Sequence, residues 1–220
     1  MHIYRAPGLP KMPVNAYLCA FMQTSTLLKP NCYVNDAGFD WLYPEKIQQL
    51  SRRHWTPLSI AKTAARFLAN EPGKKILDIG SGVGKFCLVG ARFYPETSFY
   101  GIEQREELYR YALEAKAATQ TRNVSFIHGN FTQEDLSAYD GFYFYNSFFE
   151  NLVDQDQIDD KVEYSTSLYN YYSRFLFKKL ESSASGTRLV TYHSLEDEVP
   201  PCYQLVDAST DLMLKMWIRR

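Results

Sequence analysis

The amino-acid sequence predicts an α/β protein: a doubly wound, mostly parallel seven-stranded sheet with an antiparallel C-terminal strand pair and an N-terminal helical or irregular cap. From residue 75 onward, short apolar segments alternate with amphipathic ones, which is typical of parallel strands joined by helices on both faces of a sheet. The last two apolar segments have no helical segment between them, which indicates an antiparallel pair. The 220 residues are enough for one sizeable core with a small cap.

The individual elements follow from apolar periodicity and from the residues that begin or end each segment. Helices are predicted at residues 44–50, 57–69, 85–93, 105–119 and 164–180. Strands are predicted at residues 75–79, 98–103, 124–128, 141–145, 187–192, 202–206 and 212–218. Thr56 is expected to cap the second helix, because Pro57 suits the first helical position. Since such sheets bind ligands at the carboxyl ends of their strands, the loops after the first five strands are the predicted site.

The chain divides into two predicted parts. Residues 1–41 are rich in Pro, Asn, Gly and aromatic residues with weak periodicity, and we predict an N-terminal cap or lid over residues 1–55. Residues 56–220 form the predicted sheet domain. Substrate-specific parts are usually appended to such a sheet, so we expect the cap to close over the site, with Tyr17, Tyr33 and Trp41 as candidate walls.

The composition narrows the class of protein. Hydrophobic residues make up 45% of the chain and charged residues 22%, as in ordinary soluble globular proteins. A formal net charge of -1 provides no general attraction to a nucleic-acid backbone. The four cysteines are widely spaced without a CxxC pair, so neither a disulfide framework nor a metal site is expected. The N-terminal apolar runs are too short for a signal peptide or a membrane span, and we expect a cytoplasmic protein.

A glycine-rich loop, Asp78-Ile79-Gly80-Ser81-Gly82-Val83-Gly84, follows the first predicted strand and begins a helix. Glycines suit this position because the chain turns sharply and a ligand must approach its backbone. Dinucleotide-binding enzymes favour G-x-G-x-x-G, whereas here the third glycine comes one position early and Lys85 stands in its place. The spacing therefore disfavours a nicotinamide-dependent oxidoreductase.

The D-x-G-x-G-x-G loop after a hydrophobic strand, together with Glu103 at the end of the next strand, resembles the class I (seven-stranded, Rossmann-like) S-adenosylmethionine-dependent methyltransferases. The resemblance covers about residues 55–220 and implies a methyltransferase domain at 56–220 with S-adenosylmethionine as cofactor. It implies that Glu103 accepts hydrogen bonds from both ribose hydroxyls and that Asn130, where the family often has an acidic residue, pairs with the adenine edge. The cofactor contacts that it implies are Thr56, Asp78, Gly80, Ser81, Gly82, Gly84, Glu103, Gln104, Gly129, Asn130, Phe131 and Asn146.

The loop after the fourth strand is the predicted place of methyl transfer. Its sequence, Tyr145-Asn146-Ser147-Phe148-Phe149, resembles the Asn-Pro-Pro-aromatic loop of amino-methylating enzymes without its two prolines. More loosely, it resembles the Asn-aromatic loop of the seven-strand histone lysine methyltransferases. Asn146 is therefore the candidate catalytic residue, able to accept a hydrogen bond from an amine and turn its lone pair toward the methyl group. The alternative is that Asn146 is a turn residue that ends a strand.

Three further groups of polar residues have both a functional and a structural interpretation. The acidic stretch could attract a cationic substrate, but a solvated loop before a helix N-terminus is favoured; it comprises Asp154, Asp156, Asp159, Asp160 and Glu163. His193 and Ser194 follow the fifth strand and could reach the site, although a lone histidine is more often packed or exposed. The basic cluster of residues 52–54 is too short to indicate nucleic-acid binding.

These features lead to one principal hypothesis and two alternatives. The principal one is a methyltransferase that moves a methyl group from S-adenosylmethionine to a protein side chain or a small molecule, with nitrogen as the acceptor atom. The first alternative is an RNA or DNA methyltransferase of the same fold, in which Phe148 and Phe149 hold a flipped base. The second is a regulatory protein that binds S-adenosylmethionine without catalysis.

Overall fold

A computed structural model describes residues 32–152, 158–159, 161–194 and 196–220. Its seven strands form one sheet in the order β3-β2-β1-β4-β5-β7-β6, in which β1 to β5 are parallel and β7 is antiparallel to both β5 and β6. The predicted fold class is therefore confirmed. The strands are β1 Lys75–Ile79, β2 Ser98–Glu103, β3 Val124–His128, β4 Gly141–Tyr145, β5 Arg188–Tyr192, β6 Tyr203–Ala208 and β7 Leu214–Arg219.

Seven α-helices lie in the described part of the chain: α1 Asp36–Asp40, α2 Glu45–Gln48, α3 Ser51–His54, α4 Leu58–Leu68, α5 Lys85–Phe93, α6 Glu106–Thr119 and α7 Thr166–Glu181. The four longer helices, α4 to α7, agree with the prediction to within two residues. The short helix predicted over residues 44–50 is confirmed as α2, while α3, which follows it at Ser51–His54, was not predicted. Helix α1 was not predicted, although Asn35 is a favourable N-cap whose side chain accepts the N–H of Gly38 at 2.7 Å.

The start of α4 corrects the expected role of Thr56. The side-chain hydroxyl of Thr56 lies 2.9 Å from the hydroxyl of Tyr143 on the sheet, and Thr56 does not cap the helix. The first helical N–H, that of Leu58, is instead accepted at 2.8 Å by a carboxylate oxygen of Asp36 in α1. A cap that comes from a distant segment leaves no local sequence signal, and therefore the prediction failed here.

The C-terminal hairpin differs from the prediction at its turn. Leu212, predicted to begin the last strand, has φ +59° and donates its N–H to the carbonyl of Ser209 at 2.9 Å. The hydroxyl of Ser209 in turn accepts the N–H of Leu214 at 3.0 Å, so the strand starts there. A polar turn closed by Ser209 therefore includes an apolar residue that periodicity alone assigns to the strand.

Alternate residues of the central strands face two separate apolar layers. Ile76 belongs to the layer formed with α4 and α5, whereas Leu77 belongs to the layer covered by α7. The first layer also contains buried residues of the N-terminal segment: Phe39, Tyr43, Ile47 and Trp55. Residues 39–55 thus pack into the same core as the sheet, while the domain boundary at residue 55 stays a prediction.

Two further observations concern the predicted class of protein. Among the residues that the structure describes, no helix is both long and apolar enough to cross a bilayer. Cys32, Cys87 and Cys202 are free thiols, and Cys19 lies outside the described residues. The described cysteines therefore do not pair with one another.

Gly90 tests how tightly α5 packs on β2. Alanine normally favours a helix interior over glycine by about 0.5–1 kcal/mol. At Gly90, however, an added Cβ would lie 2.3 Å from a ring carbon of Phe99. We expect Gly90→Ala to lower the free energy of unfolding by about 1–3 kcal/mol in urea denaturation, because overpacking outweighs helix propensity. Gly129→Ala, which meets no atom within 4 Å, is the control, and a Gly90→Ala protein as stable as this control would contradict the prediction.

Candidate functional site

A cleft of about 1020 Å³ lies at the carboxyl ends of the parallel strands. Its walls come from the glycine loop, from the ends of β2 to β5, and from residues 36–57 of the N-terminal segment. The predicted cofactor contacts that line it are Thr56, Asp78, Gly80, Ser81, Gly82, Glu103, Gln104, Gly129, Asn130, Phe131 and Asn146. Gly84 lies behind the cleft surface. Small-molecule sites usually occupy about 300–1,000 Å³, so the cleft has room for a cofactor and part of an acceptor.

The glycine loop has a separate physical reason for each of its glycines. All three have positive φ, at +75° for Gly80, +53° for Gly82 and +82° for Gly84. A Cβ at Gly80 would lie 2.4 Å from the hydroxyl oxygen of Ser147, and one at Gly84 would lie 2.3 Å from the ring of Phe126. At Gly82, by contrast, a Cβ would meet no atom within 4 Å. Gly80 and Gly84 therefore permit packing, whereas Gly82 leaves space that belongs to the cleft.

Glu103 is buried at the end of β2, where its two oxygens accept backbone N–H groups from both sides. One oxygen accepts the N–H of Gly82 at 2.9 Å and the other that of Arg105 at 2.8 Å. Burial raises the pKa of Glu103 above its ordinary value, because desolvation outweighs the Arg105 charge and these two hydrogen bonds. Each carboxylate oxygen keeps a free lone pair, so Glu103 can still accept hydroxyl donors from a ligand.

Asp78 is a second buried carboxyl beneath the glycine loop. It accepts a weak hydrogen bond from the Cys87 thiol, with sulfur and oxygen 3.7 Å apart. Burial raises the pKa of Asp78 well above its ordinary value, and the nearby Glu103 charge raises it further. Two desolvated carboxyls on one side of the cleft favour a ligand that carries positive charge.

In the loop after β3, the side chain of Asn130 makes most of its possible hydrogen bonds to other residues of the protein. Its carbonyl oxygen accepts the N–H of Thr132 at 3.1 Å and the hydroxyl of the same residue at 2.9 Å. Its amide nitrogen donates to the hydroxyl of Tyr172 at 2.8 Å. One amide N–H of Asn130 is left to donate to a ligand, and Phe131 beside it stacks on Phe148 with ring centroids 5.1 Å apart.

Asn146 ends β4 with φ +35°, a left-handed conformation that is uncommon outside glycine. Asn146 lines the cleft, and its side chain makes no hydrogen bond to any residue that the structure describes. The next residue, Ser147, donates its hydroxyl to the carbonyl of Ile79 at 2.8 Å, which holds this loop against the glycine loop. The turn is therefore fixed by Ser147, and the amide of Asn146 is available to a ligand.

The neighbouring strand, β5, ends in the same way as β4, with a tyrosine followed by a residue with positive φ. β5 ends in Tyr192, followed by His193 with φ +56°. The rings of Tyr145 and Tyr192 lie 4.7 Å apart, and those of Tyr192 and His193 lie 4.3 Å apart. His193 lines the cleft, whereas Ser194 is buried away from it. Tyr145 donates its hydroxyl to the carbonyl of Arg53, and burial raises its pKa to about 12 and also raises the pKa of Tyr192, so the two tyrosine rings form a neutral aromatic wall beside Asn146.

The N-terminal segment contributes groups to the cleft that the sequence did not indicate. The ammonium of Lys85 is buried, 2.6 Å from an oxygen of Asp36 and 3.1 Å from one of Asp40. One sequence signal could have indicated these ion pairs: Lys85 begins an otherwise apolar helix, and a buried lysine requires a charged partner. The predicted walls were wrong where they can be compared: Tyr33 packs on Phe39 and Trp41 is 70% exposed, and neither lines the cleft. Tyr17 lies outside the described residues.

The acidic stretch is only partly described. Glu163 is exposed, whereas an oxygen of Asp159 lies 3.5 Å from the Arg105 guanidinium. The N-cap of α7 is Ser165, which accepts the N–H of Leu168 at 3.1 Å, and the role expected for the carboxylates before this helix stays a prediction. The remaining members, Asp154, Asp156 and Asp160, lie outside the described residues.

The buried carboxyl of Asp78 predicts an unusual dependence of stability on pH. The native state binds its proton more tightly than the unfolded chain does, so stability falls as pH rises from about 4 through the raised pKa. We expect Asp78→Asn to abolish this loss, so that thermal unfolding near pH 7 occurs at an equal or higher temperature than in the wild type.

The control is Asp135, whose contribution to stability changes with pH in the opposite direction to that of Asp78. Hydrogen bonds from Ser137 lower the pKa of the exposed Asp135, so the stability from this group is present at neutral pH and is lost on acidification. Asp135→Asn should therefore lower the unfolding temperature near pH 7 slightly. An Asp78→Asn protein whose unfolding temperature changes with pH in parallel with the wild type would overturn the assignment of a raised pKa.

Comparison with known proteins agrees with this geometry. A family model described as a methyltransferase domain matches residues 70–209. The chain is 35% identical over 63 residues to a release factor glutamine methyltransferase of Thermodesulfovibrio yellowstonii, a match that covers 29% of this chain and 23% of that protein. It is 39% identical over 75 residues to the 23S rRNA (uracil(1939)-C(5))-methyltransferase RlmD of a Shewanella species, covering 34% and 15% of the two chains. The chain thus matches less than a quarter of the length of either relative.

Among solved structures, the fold is similar to that of an RNA methyltransferase from Salinibacter ruber in complex with S-adenosyl-L-homocysteine. The TM-score is 0.51 at 19% identity, over 75% of this chain and 92% of that one. The family match covers more than half of the chain, and it includes the glycine loop and Glu103. The chain therefore belongs to the methyltransferase domain family, and its fold is that of a class I, S-adenosylmethionine-dependent methyltransferase.

Proposed function

We propose that this enzyme transfers a methyl group to a nitrogen atom of a protein side chain or a small molecule, and that Asn146 orients the acceptor nitrogen. The observation that carries the proposal is that Asn146 lines the cleft and its side-chain amide has no hydrogen-bond partner among the described residues. Its backbone is held at φ +35° by a loop that is itself anchored to the glycine loop. Strained backbone that its surroundings hold in place is typical of ligand-binding sites, and an unpartnered side chain at such a position can bind a ligand.

The residues around the glycine loop fit S-adenosylmethionine. Ser81 lines the cleft, and its hydroxyl is buried and without a hydrogen-bond partner in the described part of the chain. The open space at Gly82 lets a ligand approach the backbone, and Glu103 presents free lone pairs beside it. We propose that Glu103 holds the ribose hydroxyls, that the backbone of residues 80–82 holds the methionine portion, and that Asn130 and Phe131 hold the adenine.

The charges near the glycine loop also suit this cofactor. When bound, S-adenosylmethionine supplies a methyl group on a positively charged sulfonium. Asp78 and Glu103 are both buried with raised pKa values, so their ionised forms gain stability when positive charge is placed beside them. The same carboxylates disfavour an anionic ligand at this end of the cleft.

At the acceptor side, the side-chain carbonyl oxygen of Asn146 accepts an N–H from the acceptor. This hydrogen bond fixes the direction of the nitrogen lone pair. Tyr145, Tyr192 and His193 exclude water on one side of this position. The relative named for methylating a release factor glutamine supports an acceptor nitrogen on a protein side chain.

RNA is the second candidate acceptor, and two observations favour it. One relative is named for methylating 23S rRNA, and one structure with a similar fold is an RNA methyltransferase. Phe149 lines the cleft with 49% of its surface exposed, and an exposed ring can stack on an unpaired base. A formal net charge of -1 gives RNA no general attraction, which is why we place it second.

Asn146→Ala tests the proposed role of this residue. With labelled S-adenosylmethionine and host lysate fractions, we expect methyl incorporation to fall about 100-fold, because a poorly oriented acceptor costs about that factor. The affinity for S-adenosylhomocysteine should change less than about twofold, since other groups hold the cofactor. Asn170→Ala, at an exposed position of α7, is the matched control. Undiminished incorporation by Asn146→Ala would remove Asn146 from the reaction.

The cofactor site and the acceptor class have their own test. Gly82→Arg should abolish S-adenosylhomocysteine binding in isothermal titration, because its side chain fills the open space at this glycine. Labelled product that resists ribonuclease and disappears with protease would support a protein acceptor. The reverse pattern, with RNA affinity that falls steeply with salt, would favour RNA. Absence of incorporation into any fraction would favour a non-catalytic, cofactor-binding protein.

A further inference from the structure

Arg105 connects three segments at the rim of the cleft. Its guanidinium donates from Nη2 to a carboxylate oxygen of Glu150 at 2.6 Å and to the hydroxyl of Tyr164 at 2.9 Å. Its Nη1 lies 3.7 Å from an oxygen of Glu103, and its Nε lies 3.5 Å from an oxygen of Asp159. One side chain therefore contacts the end of β2, the loop after β4 and the segment before α7.

Because the Arg105 side chain is buried, its guanidinium requires polar partners on several sides. Arg105 is 8% exposed, and a desolvated guanidinium is tolerated only where carboxylates and hydroxyls surround it. Tyr164 completes the network by donating its hydroxyl to the carbonyl of Asp159 at 2.7 Å while it accepts from Arg105. A lysine would keep the charge but not the fork of donors that reaches several partners at once.

The contacts of Arg105 join the two halves of the reaction site. Its backbone N–H binds the oxygen of Glu103 that its side chain approaches, so it supports the carboxylate proposed to hold the ribose. Through Glu150 it also holds the loop that begins with Asn146. No other described cation lies within 4 Å of either carboxylate.

We propose that Arg105 is a positioning residue, which ties the ribose-binding carboxylate of Glu103 to the loop that carries Asn146. This inference rests on the function proposed above, in which Glu103 binds the ribose. Cofactor binding at Glu103 then stabilises the loop of residues 146–152 through Glu150, so that the acceptor site is ordered while the cofactor is present. Arg105 touches neither the acceptor nor the reacting atoms in this role.

The charge of Arg105 also affects the pH range in which the cofactor binds. The charged groups that face Glu103 are Arg105, Glu150 and Asp78, and only Arg105 lowers its pKa. Without the guanidinium, the pKa of Glu103 rises further, and a protonated carboxyl accepts ribose hydroxyls less well. As pH falls, the affinity for S-adenosylhomocysteine is therefore lost at a higher pH than in the wild type.

Isothermal titration of S-adenosylhomocysteine from about pH 5 to about pH 9, combined with hydrogen exchange of residues 146–152, separates these roles. Arg105→Met should shift the affinity profile to higher pH and lose the protection that the ligand confers on the loop. Arg105→Lys should restore the profile without restoring the protection. Glu150→Gln should keep the affinity within about fivefold and lose the protection. Arg110→Met, an exposed arginine of α6, should match the wild type.

The variants test two claims separately: the coupling through Arg105 and the ribose site at Glu103. An Arg105→Met profile that coincides with the wild type, or full loop protection in Glu150→Gln, would overturn the coupling. Should Arg105→Met fail to fold, Glu150→Gln and Arg105→Lys still decide it. Wild-type affinity in Glu103→Gln would instead disprove the proposed ribose site, and it would do so whatever the Arg105 variants show.

Discussion

The carboxylate of Glu103 is the contact on which the geometry of the cleft depends. Its two oxygens accept the N–H groups of Gly82 and Arg105, so a single side chain joins the glycine loop to the end of β2. This is possible because β1 and β2 are parallel neighbours in register, with Ile79 opposite Ile102. Both strands then end at the same edge, and the backbone of one loop lies within reach of the carboxylate that follows the other.

Buried charge organises the rest of the site around this contact. Arg105 holds the loop after β4 through Glu150, and Lys85 holds α1 through Asp36 and Asp40. Buried ion pairs contribute little net stability but penalise any arrangement in which one partner is left alone. Each cation therefore fixes where one otherwise independent segment lies relative to the sheet, and the cleft acquires its walls from segments far apart in the sequence.

The family match covers the part of the cleft formed by the glycine loop and the strand ends, but not the part formed by the N-terminal segment. The family match begins at residue 70, whereas Asp36, Asp40 and Thr56 line the cleft from the preceding segment. Two adjacent strands, β4 and β5, end in a tyrosine followed by a residue with positive φ, Asn146 or His193. Such backbone costs about 1–3 kcal/mol outside glycine, and it persists where the surrounding structure holds it. This paired geometry shapes the wall of the cleft around Asn146 and His193.

The sequence by itself determined the sheet, the glycine loop and Glu103, because these depend on local patterns: apolar periodicity, glycine spacing and an acidic strand end. It also placed Asn146 at the correct edge, since its position follows from the end of β4. Only the tertiary structure decided the roles of Lys85 and Arg105, whose partners, apart from Glu103 next to Arg105, lie 45 to 59 residues away in the sequence. Thr56 failed as a helix cap for the same reason, because Asp36 from another segment takes that place. Periodicity encodes what a residue does within its own element, whereas buried ion pairs and distant caps arise only when separate elements meet.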